Sequence, residues 1–229
     1  MIDSIIIYNH NINYGDKVTE FKVSERVYPY PRFATGDTKR AGTIGGFSEY
    51  IKIPNAKKNY SLYNIDDSIS DKVACLIEAF TVGCRAARRA QPKQGENFVV
   101  FGCGTIGLAS ASSLNGEVAN IDGFIDASGA DEILDIFMEQ GKIESRFVCV
   151  AVNKSIRNLN LLHLIYSQKS IIGSGGYIPE DVQDVIDIMK SGKWDIEKII
   201  THEFPLDEIE TAIKTAGDAN NLLNVTIKF

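Results

Sequence analysis

Over its last two thirds the chain alternates compact apolar runs with stretches whose apolar residues recur at helical spacing. The runs "NFVVF", "GFIDASG", "RFVCVAV" and "KSIIGSG" are bounded by Gly, Asp, Ser or Asn and read as strands. "TIGLASASSL" and "ADEILDIFMEQG", which lie between them, read as helices. "PEDVQDVIDIMKSG" is the best-marked helix, with Pro179 at its start, acidic residues in the first turn, and Gly192 past its end. Val182, Val185, Ile186 and Met189 share its apolar face. A further helix is predicted in "LDEIETAIKTAG", where Asp207 and Glu210 make a D-x-x-E start signal and Gly217 a stop. "NVTIKF" reads as a closing strand.

The first third has a different texture. "DKVTEFKV", "ERVYPY" and "GGFSEYIKIP" are rich in Val, Ile, Phe and Tyr and read as β structure. One helical segment, "DKVACLIEAFTVGCRAARRA", joins this part to the alternating part, and "QPKQGE" closes it. The pattern predicts an α/β fold with a parallel sheet covered on both faces and a separate β-rich part. There is no internal repeat or low-complexity tract.

Within the joint between first strand and first helix, Gly102, Gly104 and Gly107 fit G-x-G-x-x-G. The first glycine of such a turn permits the tight bend, the second lets a pyrophosphate approach the backbone, and the third lets helix and strand pack closely. The helix start then presents N–H groups and a positive dipole end to phosphate. A dinucleotide cradle and a purely structural βα turn both remain open on these residues alone. A cradle calls for an acidic residue about 20 positions further on, at the end of a second strand. Asp122 and Asp126 stand near that count, but "NGEVANID" is a poor strand and Asp122 also reads as a solvent-facing loop residue.

Composition narrows the classes. The chain has 229 residues with a formal net charge of −6, which argues against nucleic acid or an anionic membrane as the main partner. Arg85, Arg88 and Arg89 are its densest basic cluster, spaced for one helix face, and read as a solvated face or an anion site. Cys75, Cys84, Cys103 and Cys149 show no C-x-x-C spacing, so neither a disulfide framework nor a cysteine zinc knuckle is indicated. "MIDSIIIYNHN" has neither a basic leader nor a span-length apolar run, and the expected compartment is the cytoplasm.

Several segments, taken in order, resemble the zinc-type alcohol dehydrogenases of the medium-chain dehydrogenase/reductase superfamily, in particular the sorbitol and polyol branch. They are "GDKVTEFKVSERV", "GGFSEYIKIP", "CLIEAFTVGCRAARRAQPKQGENFVVFGCGTIGLASA", "FIDASGADEILD", "KSIIGSGGY", "SGKWDIEKIITHEFPLDEIETAIK" and "NVTIKF". The resemblance implies a Rossmann-like parallel sheet lacking part of its first half, plus a partial GroES-like β-rich catalytic domain. It divides the chain into a partial catalytic domain over 1–80, a nucleotide-binding domain over 81–195 and a return to the catalytic domain over 196–229. The family's second and third sheet strands fall in a gap between Leu114 and Asp122, which makes "DGFIDASG" the fourth strand.

That resemblance also implies the chemistry. NAD or NADP would lie on Gly102, Gly104, Thr105, Ile106 and Gly107, on Ser128 and Gly129, and on Gly173 and Gly175, with Thr81, Val82 and Gly83 bordering the nicotinamide. In the family a catalytic zinc polarises the alcohol oxygen, held by a Cys, a His in Gly-His-Glu and, in the polyol branch, a Glu. Glu78 matches that glutamate, with Ala79 in place of the usual proline. The Cys and Gly-His-Glu positions fall before Gly15 and have no match, and His10 lacks flanking Gly and Glu. No residue is identifiable as catalytic. Cys75 reads as a buried inert thiol or a ligand one helical turn from Glu78, Cys103 as a candidate reactive thiol, His202 as structural, and His163 as a core or interface histidine. The expected function is hydride transfer between a small alcohol or polyol and NAD(P), in a homo-oligomer. The alternatives are a non-catalytic dinucleotide-binding or oligomer-forming remnant, and an incomplete version of a longer chain.

Overall fold

The computed structural model describes residues 5–7, 18–34, 51–112, 121–218 and 222–228. The contacts within the chain separate it into two units, one of residues 1–78 and 182–229 and one of residues 79–181.

The first unit begins with β1 (Ile5–Ile7), β2 (Val27–Pro29), α1 (Pro31–Ala34), β3 (Leu62–Asn64) and α2 (Asp71–Ala74). β2 and β3 pair antiparallel with Tyr28 opposite Tyr63. Arg26 ties this hairpin down. Its guanidinium donates to the Asp71 carboxylate at 2.6 Å and to the carbonyls of Ile69 and Asp66 at 2.7 and 3.1 Å. The strand expected over 16–23 does not form in described residues 18–23. There the chain turns instead, with Ser24 at φ 69° and the Glu25 N–H donating to the Lys22 carbonyl. The six residues Gly45 to Tyr50 of the expected "GGFSEYIKIP" strand, and His10, lie outside the described residues; Ile51 to Pro54 form no strand.

The single helix expected over 71–90 is two helices. α2 is capped by Ser70, whose hydroxyl accepts from the Val73 N–H at 3.3 Å, and α3 (Ile77–Ala90) starts after a break at Cys75 and Leu76.

The second unit holds β4 (Asn97–Phe101), α4 (Thr105–Ser112), β5 (Ile121–Asp126), α5 (Glu132–Gln140), β6 (Arg146–Cys149), α6 (Leu161–Ser167) and β7 (Ser170–Gly173), with the start of α7 (Pro179–Lys190). Its four described strands are parallel and lie in the order β4-β5-β6-β7, each beside its neighbour in sequence. Alternate residues of the strands serve opposite faces. Ile125, Val148 and Val150 pack with Ala86 and Ala90 of α3 and with Ile106 of α4. Phe124 and Phe147 pack on the other face with Phe137 and Met138 of α5. Lys169 closes the end of α5: its ammonium donates to the carbonyls of Phe137 and Met138 at 3.1 and 2.6 Å, and burial pushes its pKa down.

α6 was not legible as a helix, because "LLHLIY" is apolar without a helical period. Leu161, Leu162, Ile165 and Tyr166 are exposed on it, and so is His163, which corrects the expectation of a core histidine.

The chain returns to the first unit through β8 (His202–Pro205), α8 (Ile209–Ala216) and β9 (Val225–Lys228). β9 runs between β1 and β8, parallel to both, over a small core of Ala212, Val225 and Ile227. The D-x-x-E signal is corrected too. Asp207 sits inside a single 3-10 turn over Leu206–Glu208, and no side-chain cap is made there.

Candidate nucleotide site at the strand ends

The carboxyl ends of all four parallel strands stand in one row: Phe101 is in register with Asp126, Asp126 with Cys149, and Cys149 with Gly173. Ligands of open α/β sheets bind outside such a rim. All nine candidate cofactor residues lie on it or within six residues beyond it. Gly102 to Gly107 follow β4, Ser128 and Gly129 follow β5, Gly173 ends β7 and Gly175 lies just past it. The rim belongs wholly to the second unit.

The glycine turn is closely packed at two of its glycines and open at the third. Gly102 has φ +100°, a conformation open to glycine, and a Cβ there would lie 2.9 Å from the Ala127 carbonyl carbon. A Cβ on Gly107 would lie 2.0 Å from the Gly102 carbonyl oxygen, so helix and strand meet at backbone distance. Gly104 is the opposite case: nothing lies within 4 Å of where its Cβ would be, and the open space is on the exposed side of the turn. The helical ladder begins with the Leu108 N–H donating to the Gly104 carbonyl at 3.0 Å, which leaves the Ile106 and Gly107 N–H groups ahead of it, at the rim. Ile106 contributes no side chain to the rim, since it packs into the core.

The turn after β5 is held against the first by the Ala127 N–H, which donates to the Phe101 carbonyl at 2.8 Å. Asp126 shapes it. Its Oδ1 accepts from the Ser128 N–H, the Ser128 hydroxyl and the Gly129 N–H at 2.9, 2.7 and 2.9 Å. Sequence reasoning weighed Asp126 only as a ribose ligand by count. The local signal it carried was D-x-S-G, in which a short acidic side chain caps its own turn.

Asp122 is at the other end of the sheet, at the start of β5. It pairs with Lys142 at 2.5 Å and accepts from the Asn97 N–H at 2.9 Å, so it is neither a ribose ligand nor a free loop residue. Burial alone would raise its carboxyl; Lys142 and Asn97 outweigh this and hold it below the usual carboxylate value.

Two arginines of the basic cluster face a buried carboxylate, while Arg89 is exposed. Arg88 pairs with the fully buried Asp181 at 3.1 Å, and Arg85 stands at 3.8 Å from it. Arg89 donates to the Gly173 carbonyl at 3.2 Å. Asp181 also accepts the Ile178 N–H at 2.9 Å at the start of α7.

Gly83 was expected to border a cofactor. It is buried where α3 meets α4, with the Ala109 Cβ 2.6 Å from where its own Cβ would be and the Ser110 hydroxyl donating to its carbonyl at 3.3 Å. Thr81 is buried and Val82 packs into the core.

Glu78 lies in the first turn of α3, in the other unit, half buried. The Cys75 thiol donates to the Asp71 carbonyl at 3.2 Å. Among the described residues, no group of three or more His, Cys, Asp or Glu is placed to hold a metal ion. Cys103 is exposed in the glycine turn. Cys149 is pushed up, first by burial and then by Asp126. The His202 ring is 3.0 Å from the Thr201 hydroxyl and stacks near Phe204. Among the described residues, no helix is long and apolar enough to cross a membrane.

No family model matches the chain. The (R,R)-butanediol dehydrogenase of Bacillus subtilis is 23% identical over 254 residues, covering 86% of this chain and 72% of that protein. A crystal structure of the 2R,3R-butanediol dehydrogenase from Bacillus subtilis superposes with TM-score 0.81 at 20% identity, covering 94% of this chain and 77% of the other. In sequence and fold the chain is similar to the zinc-type alcohol dehydrogenases of the medium-chain dehydrogenase/reductase superfamily. An alcohol dehydrogenase from Escherichia coli CFT073, solved with NADH, gives TM-score 0.80 at 21% identity over 94% of this chain and 80% of that one. The butanediol dehydrogenase match runs longer than the 229 residues of this chain, so the relative carries stretches with no counterpart here.

Proposed function

We propose that the chain is an oxidoreductase of the alcohol and polyol type, which binds a nicotinamide cofactor along the rim of its parallel sheet. The observation that carries this is the turn at Gly104, where open space faces the exposed side and backbone N–H groups start a helix. Bound there, NAD or NADP would exchange hydride with a small alcohol or polyol. Gly102, Gly104, Thr105, Ile106 and Gly107 would hold phosphate through the backbone. Ser128 and Gly129, fixed by Asp126, would line the next stretch of the rim, and Gly173 and Gly175 its far end. The two units would then serve as a nucleotide-binding domain and a partial GroES-like catalytic domain.

The donor set of the described residues does not fit zinc. Glu78, the match to the family's glutamate ligand, has no two described donors converging with it, and no step is assigned to a metal. The same fact favours a second reading, a cofactor-binding protein without turnover. Titrating NADH into the folded, zinc-supplemented protein by calorimetry tests the reading they share. Saturation near one per chain supports it; no heat at all from folded protein sinks it. Reduction of NAD or NADP with a panel of alcohols then separates enzyme from binder.

Four free cysteines accord with a cytoplasmic home. The exposed apolar residues of α6 favour a homo-oligomer, which sedimentation would reveal.

A further inference from the structure

The rim is incomplete in a way that bears on what it can hold. A dinucleotide fold of this class has strand order 3-2-1-4-5-6, two mononucleotide-binding halves that meet where the order reverses. Here the glycine-turn strand β4 is hydrogen-bonded directly to β5, and the order runs on to β7 without a reversal. That is the order of strands 1, 4, 5 and 6. Among the described residues no strand pairs with the other side of β4, where strand 2 belongs.

Chain length makes the same point independently. α4 ends at Ser112 and β5 starts at Ile121, so only eight residues join them. β4, α4 and β5 already form one complete parallel crossover. A second parallel strand would need another crossover of a dozen or more residues, roughly 30 for the whole unit. Eight residues cannot supply it. The acidic group that binds a ribose belongs at the end of that second strand. Asp122 is at the opposite end of the sheet in an ion pair, and Asp126 is committed to its own turn. By contrast the β4–β7 part of the rim is all present, in register, with its glycine turn intact.

We infer that the cofactor site is a half-site: it seats the phosphate and the nicotinamide nucleoside half and has no seat for the adenosine half. The ligand class is therefore a nicotinamide mononucleotide unit, free or as the reactive half of a dinucleotide. This rests on the cofactor reading above and sharpens it. A group that touches nothing adds no affinity and supports no discrimination. The adenosine of NADH, and the 2′-phosphate that separates NADPH from NADH, both fall in the missing half.

The test is a set of titrations of the full chain with NADH, NADPH, reduced nicotinamide mononucleotide, AMP and 2′,5′-ADP, followed by calorimetry. The first three are expected to bind with dissociation constants within about fivefold of one another, and the last two not to compete. NADH binding more than about fivefold tighter than the mononucleotide, a larger preference between NADH and NADPH, or competition by AMP shows a seated adenosine half and overturns the inference while the cofactor reading stands. No binding of any of the five to folded protein overturns both. Gly104→Val serves as the control for place, because its side chain enters open space and would not crowd the protein. It should weaken NADH, NADPH and the mononucleotide together; mononucleotide binding that survives it would put the site elsewhere and overturn the inference.

Discussion

The α-carbon of Gly107 lies so close to the carbonyl of Gly102 that one added methyl would meet the oxygen at 2.0 Å. Neither partner can give way, since both are backbone. Gly107→Ala should therefore destabilise the protein by about 1–3 kcal/mol, the usual cost of overpacking. Gly104→Ala, two residues past Gly102, should leave stability within about 0.5 kcal/mol of the parent. Urea unfolding of the two variants side by side checks this, and equal effects would show that the turn is not the close contact described.

Asp181 is fully buried and faces Arg88 at 3.1 Å. Asp181→Ala leaves the arginines facing an emptied acceptor site and removes the group that takes the Ile178 N–H. A loss of about 3–5 kcal/mol is expected, as for other buried pairs broken on one side. The double variant with Arg88→Ala should lose less than the sum of the two single changes. Strict additivity in chemical denaturation would mean the two side chains do not act as a pair.

Asp126 offers a sharper contrast, because its one oxygen serves three donors. Asp126→Asn keeps an acceptor at Oδ1, whereas Asp126→Ala leaves the Ser128 and Gly129 N–H groups without it. The alanine variant should lose about 1–3 kcal/mol of stability and bind NADH more weakly, with asparagine largely rescuing both. If asparagine fares as badly as alanine, the charge matters and not the turn.

Acid should weaken the second unit through Glu96 and Asp122. Burial acts to raise both, but Arg146 at 2.5 Å from Glu96 and Lys142 at 2.5 Å from Asp122 leave both pKa values lowered. A carboxyl whose pKa is lower folded than unfolded favours the fold above its ordinary value, here 4.5 for Glu96 and 3.8 for Asp122. That contribution fades as pH falls through the depressed folded values. Stability should hold between about pH 7 and pH 5 and decline below about pH 4 as these groups take up protons. Glu96→Gln should flatten the decline; an unchanged pH profile in that variant would remove Glu96 from the account.

What could be read from the chain beforehand divides along physical lines. The strands of the second unit were legible because each is a compact apolar run between turn residues, and α7 because proline, acids and glycine mark its ends. The glycine turn was legible because three glycines stand at fixed spacing, and Gly102 and Gly107 each answer a backbone demand. The short "SLNGEVAN" gap was legible too, since its eight residues cannot hold a further crossover and strand. The role of Asp126 depends on hydrogen bonds within three residues that its count from the glycines obscured. The Arg85–Arg88–Asp181 cluster joins residues more than 90 positions apart, and no local period announces it. α6 escaped notice because its apolar residues stand in solvent, against the rule by which periodicity is read.

The sheet order has one more consequence, for the route by which the unit folds. In the 3-2-1-4-5-6 arrangement the chain lays down strands toward one edge and must then come back across the first to build toward the other. Here each strand after β4 docks on the one made just before it, so the sheet grows in a single direction from β4 to β7. Every strand pairing spans only its own crossover. Loop closure is short at each step, which is the condition under which parallel sheets assemble fastest. Among the described residues, the return across the first strand, the pairing with the longest loop to close, has no counterpart in this sheet.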